Sequence, residues 1–183
     1  FVIVTFHFWW NGKPILRSDY LAELGQMRKP GDYIAEEDGT HLFFSACQIV
    51  TSEPSMLAPL SSPWDMNDVE RVAAKNWIQE NERAASIVDR ALRMKFFWPQ
   101  GYSLDGTVRA FHTTDLGYEG KAALLILWRG KMKAYDGDLD SGIKDILAAG
   151  NIGKCFGTKP SWAEWMNAIF WATVATDSIA DIV

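Results

Sequence analysis

Ala122-Ala123-Leu124-Leu125-Ile126-Leu127-Trp128 is apolar at every position. Such a run has no polar face, so it reads as a strand covered on both sides at the centre of a sheet. The flanking residues extend that reading. Arg129-Gly130-Lys131 supplies a turn, and 132–135 alternates Lys outward with apolar residues inward, as an edge strand does. With a further strand at 107–114, residues 96–136 predict a sheet.

The N-terminal part adds strands to it. In 1–10, Val2, Val4, Phe6, Phe8 and Trp10 form one apolar face, and the odd positions are half apolar. Asn11-Gly12 supplies the positive φ angles of a hairpin turn, and Pro14 confines the return strand to an edge. Ser18 caps a short helix that Pro30-Gly31 stops. Asp38-Gly39 turns a second hairpin between 32–37 and 41–50.

The remaining elements are helical. After a loop at 51–62, Ser62-Pro63-Trp64-Asp65 opens the longest predicted helix, 63–95. Val69, Val72, Ala73, Trp77, Ala84, Ile87, Val88, Ala91 and Leu92 make its inner stripe, with Glu70, Arg71, Lys75, Glu82, Arg83, Asp89 and Arg93 on the solvent side. A short helix follows at 142–149, and Gly150 to Gly153 reads as its end. The last helix starts with a Ser161/Glu164 capping box and runs over 162–179. Its inner face is read as Trp162, Trp165, Met166, Ile169, Phe170 and Thr173. Trp171 falls on the opposite side, among Glu164, Asn167 and Ser178. The order predicts one α+β domain over 1–183, with an antiparallel or mixed sheet, a long central helix and a C-terminal helix packed on the sheet.

Composition sets bounds on function. Nine Trp, ten Phe and five Tyr accompany only three His and two Cys. That balance favours a large core, with an aromatic contact surface, over a metal or thiol centre. The net charge of −5 divides as −3, 0 and −2 over 1–62, 63–100 and 101–183, with no basic cluster. This disfavours nucleic acid as a partner. Cys47 and Cys155 share no spacing motif and read as free thiols in a reducing, cytoplasmic setting. No apolar run is long enough to cross a bilayer as a helix, and 1–10 lacks the flanks of a signal peptide. A soluble protein without a membrane partner is expected.

Three constellations could carry chemistry. Asp136, Asp138 and Asp140 alternate in a Gly/Asp segment, and three such carboxylates can wrap one divalent cation, the one cofactor considered. The spacing departs from a calcium loop, since Leu147 stands where its last acid belongs. The first reading is therefore a turn in which Asp140 or Ser141 caps the next helix. Asp105, then Glu119-Gly120-Lys121 leading into the predicted strand at 122–128, resembles the core of the PD-(D/E)xK nucleases. That resemblance implies acids holding Mg²⁺ and a lysine acting on water. It covers these residues only, and no Pro precedes Asp105. Cys47 and His112 could pair as a thiol hydrolase dyad if their strands were neighbours. His41 lies on the same strand as Cys47 but roughly 20 Å away, too far for a dyad. Set in Phe43-Phe44-Ser45-Ala46, Cys47 also reads as a small core residue. The three His have no zinc spacing, and no glycine-rich phosphate loop occurs.

Trp171, with Glu164 and Asn167 around it, is the last candidate. Either another element of the chain covers it, or it anchors a protein–protein interface. The expected function is a non-catalytic binding or assembly protein that meets a protein partner or itself. The alternative is a small hydrolase, metal-dependent through the carboxylates or thiol-dependent through Cys47 and His112.

Overall fold

The structure, a computed structural model, describes residues 39–96, 113–152 and 162–182, with the backbone alone at 113–119 and 162–165. These residues form α1 (Thr40–Ile49), a 3₁₀ turn (Pro63–Asp65), α2 (Asp68–Glu80), α3 (Glu82–Ala91), α4 (Thr113–Tyr135), α5 (Leu139–Ile152) and α6 (Trp162–Ala180). They hold no sheet, which overturns the α+β reading. The elements predicted over 1–37 and 97–112, and the Ser161 cap, lie outside the described residues. All the described residues fall in one compact unit.

The run at 122–128 is the middle of α4, and every residue in it is buried. A helix apolar all round must be enclosed on all sides, and so must a central strand; a short apolar run does not separate the two. Here the helix continues through the turn predicted at 129–131. Gly130 is not a turn residue but a crossing point. A Cβ built on it would come within 2.7 Å of the Gly142 carbonyl oxygen and 2.9 Å of the Ile146 amide. A Cβ on Gly142 would lie 2.8 Å from the Gly130 oxygen and 2.9 Å from Ala134. The backbones of α4 and α5 therefore touch where side chains are absent. Gly150 repeats the device inside α5, against Ala175 of α6. Thus α5 lies between α4 and α6, and α6 packs on α5 rather than on a sheet. α4 contacts every other named element and is the central helix of the unit, in place of 63–95.

Residues 41–49 of the predicted strand 41–50 are helical, with Val50 as the C-cap. Phe43, Ala46, Cys47 and Val50 are buried, and their spacing of three and four is that of one helix face. The start of α1 docks on the end of α3: Gly39 N–H donates to the Lys95 oxygen at 2.7 Å, and Phe43 meets Phe96 edge-on at 5.9 Å.

The predicted helix 63–95 is three elements. Ser62 precedes only the 3₁₀ turn. The capping box of α2 belongs to Asn67, whose side chain accepts from Glu70 N–H at 3.0 Å while Glu70 accepts from Asn67 N–H at 3.0 Å. Val69 and Val72 are exposed, and the inner stripe runs through Ala74, Trp77, Asn81, Ala84, Ala85, Val88 and Ala91.

Asn81 separates α2 from α3 and is itself buried. Its side chain accepts from Thr51 N–H at 2.9 Å and donates to Thr51 Oγ1 and the Trp77 oxygen, both at 2.8 Å. This clamps the loop after α1 onto the helix junction. Asn81→Leu removes three hydrogen bonds and strands the Thr51 amide. It is expected to lower stability by about 1–3 kcal/mol in urea unfolding, whereas a solvent-side change such as Glu82→Gln stays within about 0.5 kcal/mol.

Residues 51–66 continue as a strap along α4. Leu57, Pro63 and Met66 are buried. Arg71 donates to the Met66 and Pro63 oxygens, pairs with Asp68, and lies 5.1 Å over the Tyr135 ring. Trp64 packs edge-on against Tyr135 at 5.8 Å.

Candidate functional site

Two clusters of charge sit inside the unit. At one, Arg129 of α4 donates through Nη1 and Nη2 to Asp89 of α3, at 2.9 and 2.8 Å. It also donates through Nε and Nη2 to Asp145 of α5, at 2.7 and 2.8 Å. Lys133, one turn further, donates to Asp145 at 2.8 Å. Burial by itself disfavours the charged guanidinium, but the hydrogen bonds and charges of Asp89 and Asp145 outweigh it and raise the Arg129 pKa above the ordinary value. Every carboxylate oxygen here is engaged. The cluster ties three helices together and offers no free group for acid–base work.

The second is Lys131, whose residue is only 4% exposed. Its Nζ donates to the carbonyl oxygens of Pro59 at 2.8 Å and Ser61 at 2.7 Å, and lies 5.3 Å over the Trp128 ring. It fastens the strap to α4. Burial pushes the amine down from the usual 10.5 to about 8, partly opposed by the charge of Asp181. Between pH 8 and 10.5 the unfolded chain therefore holds a proton at this lysine that the folded chain has released. Stability gains a rising contribution across that window, because the cost of burying the charge disappears. Lys131→Met should remove this rise, read as a flatter unfolding midpoint from pH 7.5 to 10. Neutral Lys131 still has two N–H donors, so both carbonyl bonds survive deprotonation.

The residues singled out from sequence are mostly kept apart or enclosed. Cys47 lies in α1 at 1% exposure, on the inner face. His112 and Asp105 lie outside the described residues. Glu119 and Lys121 lie within α4, so no strand follows them as the nuclease resemblance implies. Asp136 pairs with Lys75 of α2 at 2.8 Å. Asp138 accepts from Ser141 N–H at 3.2 Å and so caps α5, the role predicted for Asp140 or Ser141. Asp140 sits exposed in the first turn. Among the described residues no three or more His, Cys, Asp or Glu are grouped to hold a metal.

α6 presents the largest change. Its bounds agree with the predicted 162–179, but its faces are exchanged. Trp171, Val174, Ala175 and Ser178 are buried, with Trp171 at 4% exposure. Trp171 is thus covered by the chain itself, beside Gly150 of α5 and Gly120 of α4. Its indole N–H, like that of Trp128, is buried without a hydrogen-bond acceptor among the described residues. Asn167 is half-buried, and the Glu164 side chain lies outside the described ones. The opposite face carries Met166, Ile169 and Phe170, exposed at 41, 41 and 44%. Their spacing of three and four puts them in one stripe, continued by exposed Thr173. Here three large apolar side chains of one helix share a solvent-facing stripe.

No protein-family model, curated protein or solved structure matches this chain. What the described residues define is therefore a class by architecture: a helical unit around α4, with α6 packed against α5. None of its described helices is long and apolar enough to cross a membrane.

Proposed function

We propose that the chain is a non-catalytic binding or assembly protein, acting through protein–protein contacts made by the outer face of α6. The observation that carries this is the stripe of Met166, Ile169 and Phe170, left exposed on a helix whose other face is already packed. Contiguous apolar surface of this kind marks interaction sites, and Met and Phe are enriched in their centres. The charged groups point the same way, since Arg129, Asp89, Asp145 and Lys131 are spent on holding elements together. The acidic balance disfavours a nucleic-acid partner. A cytoplasmic setting is part of the reading, in line with two cysteines that share no spacing motif.

Capture of binding proteins and sedimentation velocity, run on the native chain beside Phe170→Asp, test it. The reading expects a complex or self-associated species that Phe170→Asp weakens at least about tenfold, with Val69→Asp on α2 harmless. If every association survives Phe170→Asp in a folded protein, the reading fails.

A further inference from the structure

We infer that the outer face of α6 takes an amphipathic segment of another protein, one bearing an apolar stripe with a Lys or Arg beside it. This rests on the reading of that face as a docking surface and adds the chemistry of its occupant. The face is divided along its length. Met166, Ile169 and Phe170 occupy its N-terminal half, while exposed Thr173 and Asp177 continue it toward the C-terminus. Asp177 follows Met166 by eleven residues, which places it about 20° from Met166 around the helix axis. It stands in the last turn, at the negative end of the helix dipole. α6 contains no Lys or Arg, so nothing on the helix neutralises that end. Asp181 follows in the next turn, but its charge acts on buried Lys131. Asp177 is therefore the carboxylate left to meet a partner.

An apolar stripe with a carboxylate about 12 Å beyond Ile169 selects apolar anchors on one side of a partner segment and a cation two turns along it. A second copy of α6 would bring apolar residues but no cation. An anionic lipid surface would be repelled by Asp177.

The test uses two synthetic amphipathic peptides with Leu at the same stripe positions, one with Lys and one with Glu on its flanks. Each is titrated with the full chain and read by fluorescence anisotropy. The Leu/Lys peptide is expected to bind at least about tenfold more tightly than the Leu/Glu peptide. Phe170→Asp should abolish that binding. Asp177→Lys, at an exposed position that leaves the fold unchanged, should weaken the Leu/Lys peptide and strengthen the Leu/Glu peptide. Equal binding of both peptides, each lost in Phe170→Asp, would overturn the basic partner and keep the docking face. A dimer dissociated by Phe170→Asp, with neither peptide bound, would do the same in favour of a second copy. Neither peptide bound and no association altered by Phe170→Asp would overturn both.

Discussion

Arg129→Leu is expected to destabilise the unit by about 3–5 kcal/mol, a large part of the stability of a domain this size. The arginine lies between Asp89 and Asp145 and makes four hydrogen bonds to them, all between 2.7 and 2.9 Å. Removing it leaves Asp145, nearly enclosed, with Lys133 as its one cation among the described residues. The cost is that of an under-compensated buried carboxylate, more than the worth of the lost bonds. Urea unfolding should show the midpoint fall without a change in slope. Arg129→Leu combined with Asp145→Leu should recover part of the loss, since the stranded charge is gone. Arg129→Lys should not restore it, because an ammonium cannot reproduce two bidentate pairs. If Arg129→Leu unfolds within about 0.5 kcal/mol of the native chain, the cluster does not hold the three helices together.

Gly142→Leu should be at least as damaging. The space over Gly142 is filled by the Gly130 oxygen at 2.8 Å and by the Ala134 nitrogen and Cβ, both at 2.9 Å; the oxygen and nitrogen are fixed in the α4 backbone. Side chains can shift to admit a methyl group, but a helix backbone must translate as a whole. Overpacking of a core costs about 1–3 kcal/mol even where side chains can yield. Leucine here exceeds that and separates α4 from α5. Gly142→Ala gives the smaller version, with about 1 kcal/mol of helix propensity regained against the clash. Thermal unfolding read by circular dichroism should place both variants below the native chain, Gly142→Leu furthest. A midpoint for Gly142→Ala above the native one would mean the helices do not touch there.

These two sites show where the sequence was legible and where it was not. Glycine inside a helix and glycine in a turn look alike in a string of letters. Gly130 reads as a turn, Gly142 as the start of a short helix and Gly150 as its end, because the partner that needs their missing side chains lies on another element. The run at 122–128 had the same defect: enclosure on all sides erases the period that separates helix from strand. At 41–50 the helical spacing of Phe43, Ala46, Cys47 and Val50 was present, but Leu42, Phe44 and Ile49 obscured it. The pattern puts Asp89 on the solvent side and Lys131 in a turn, and nothing local reveals that Asp89 and Asp145 share Arg129.

The C-terminal helix separates the two kinds of information most clearly. Its extent was legible, because Ser161 and Glu164 frame an uninterrupted helical run. Its orientation was not. The face of Met166, Ile169 and Phe170 is the bulkier, and burial by bulk alone puts it inside. The face that packs is the one with Ala175 opposite Gly150, where backbones come close. The functional reading moves with it, from Trp171 to the residues directly across the helix.

That exchange of faces is best tested by thiol labelling of Ile169→Cys and Ala175→Cys in native protein, with Cys155 replaced in both. Ile169→Cys should react with a maleimide at the rate of an exposed thiol, and Ala175→Cys only after unfolding. Fast labelling at 175 with protection at 169 would turn α6 over, and the proposed binding face with it.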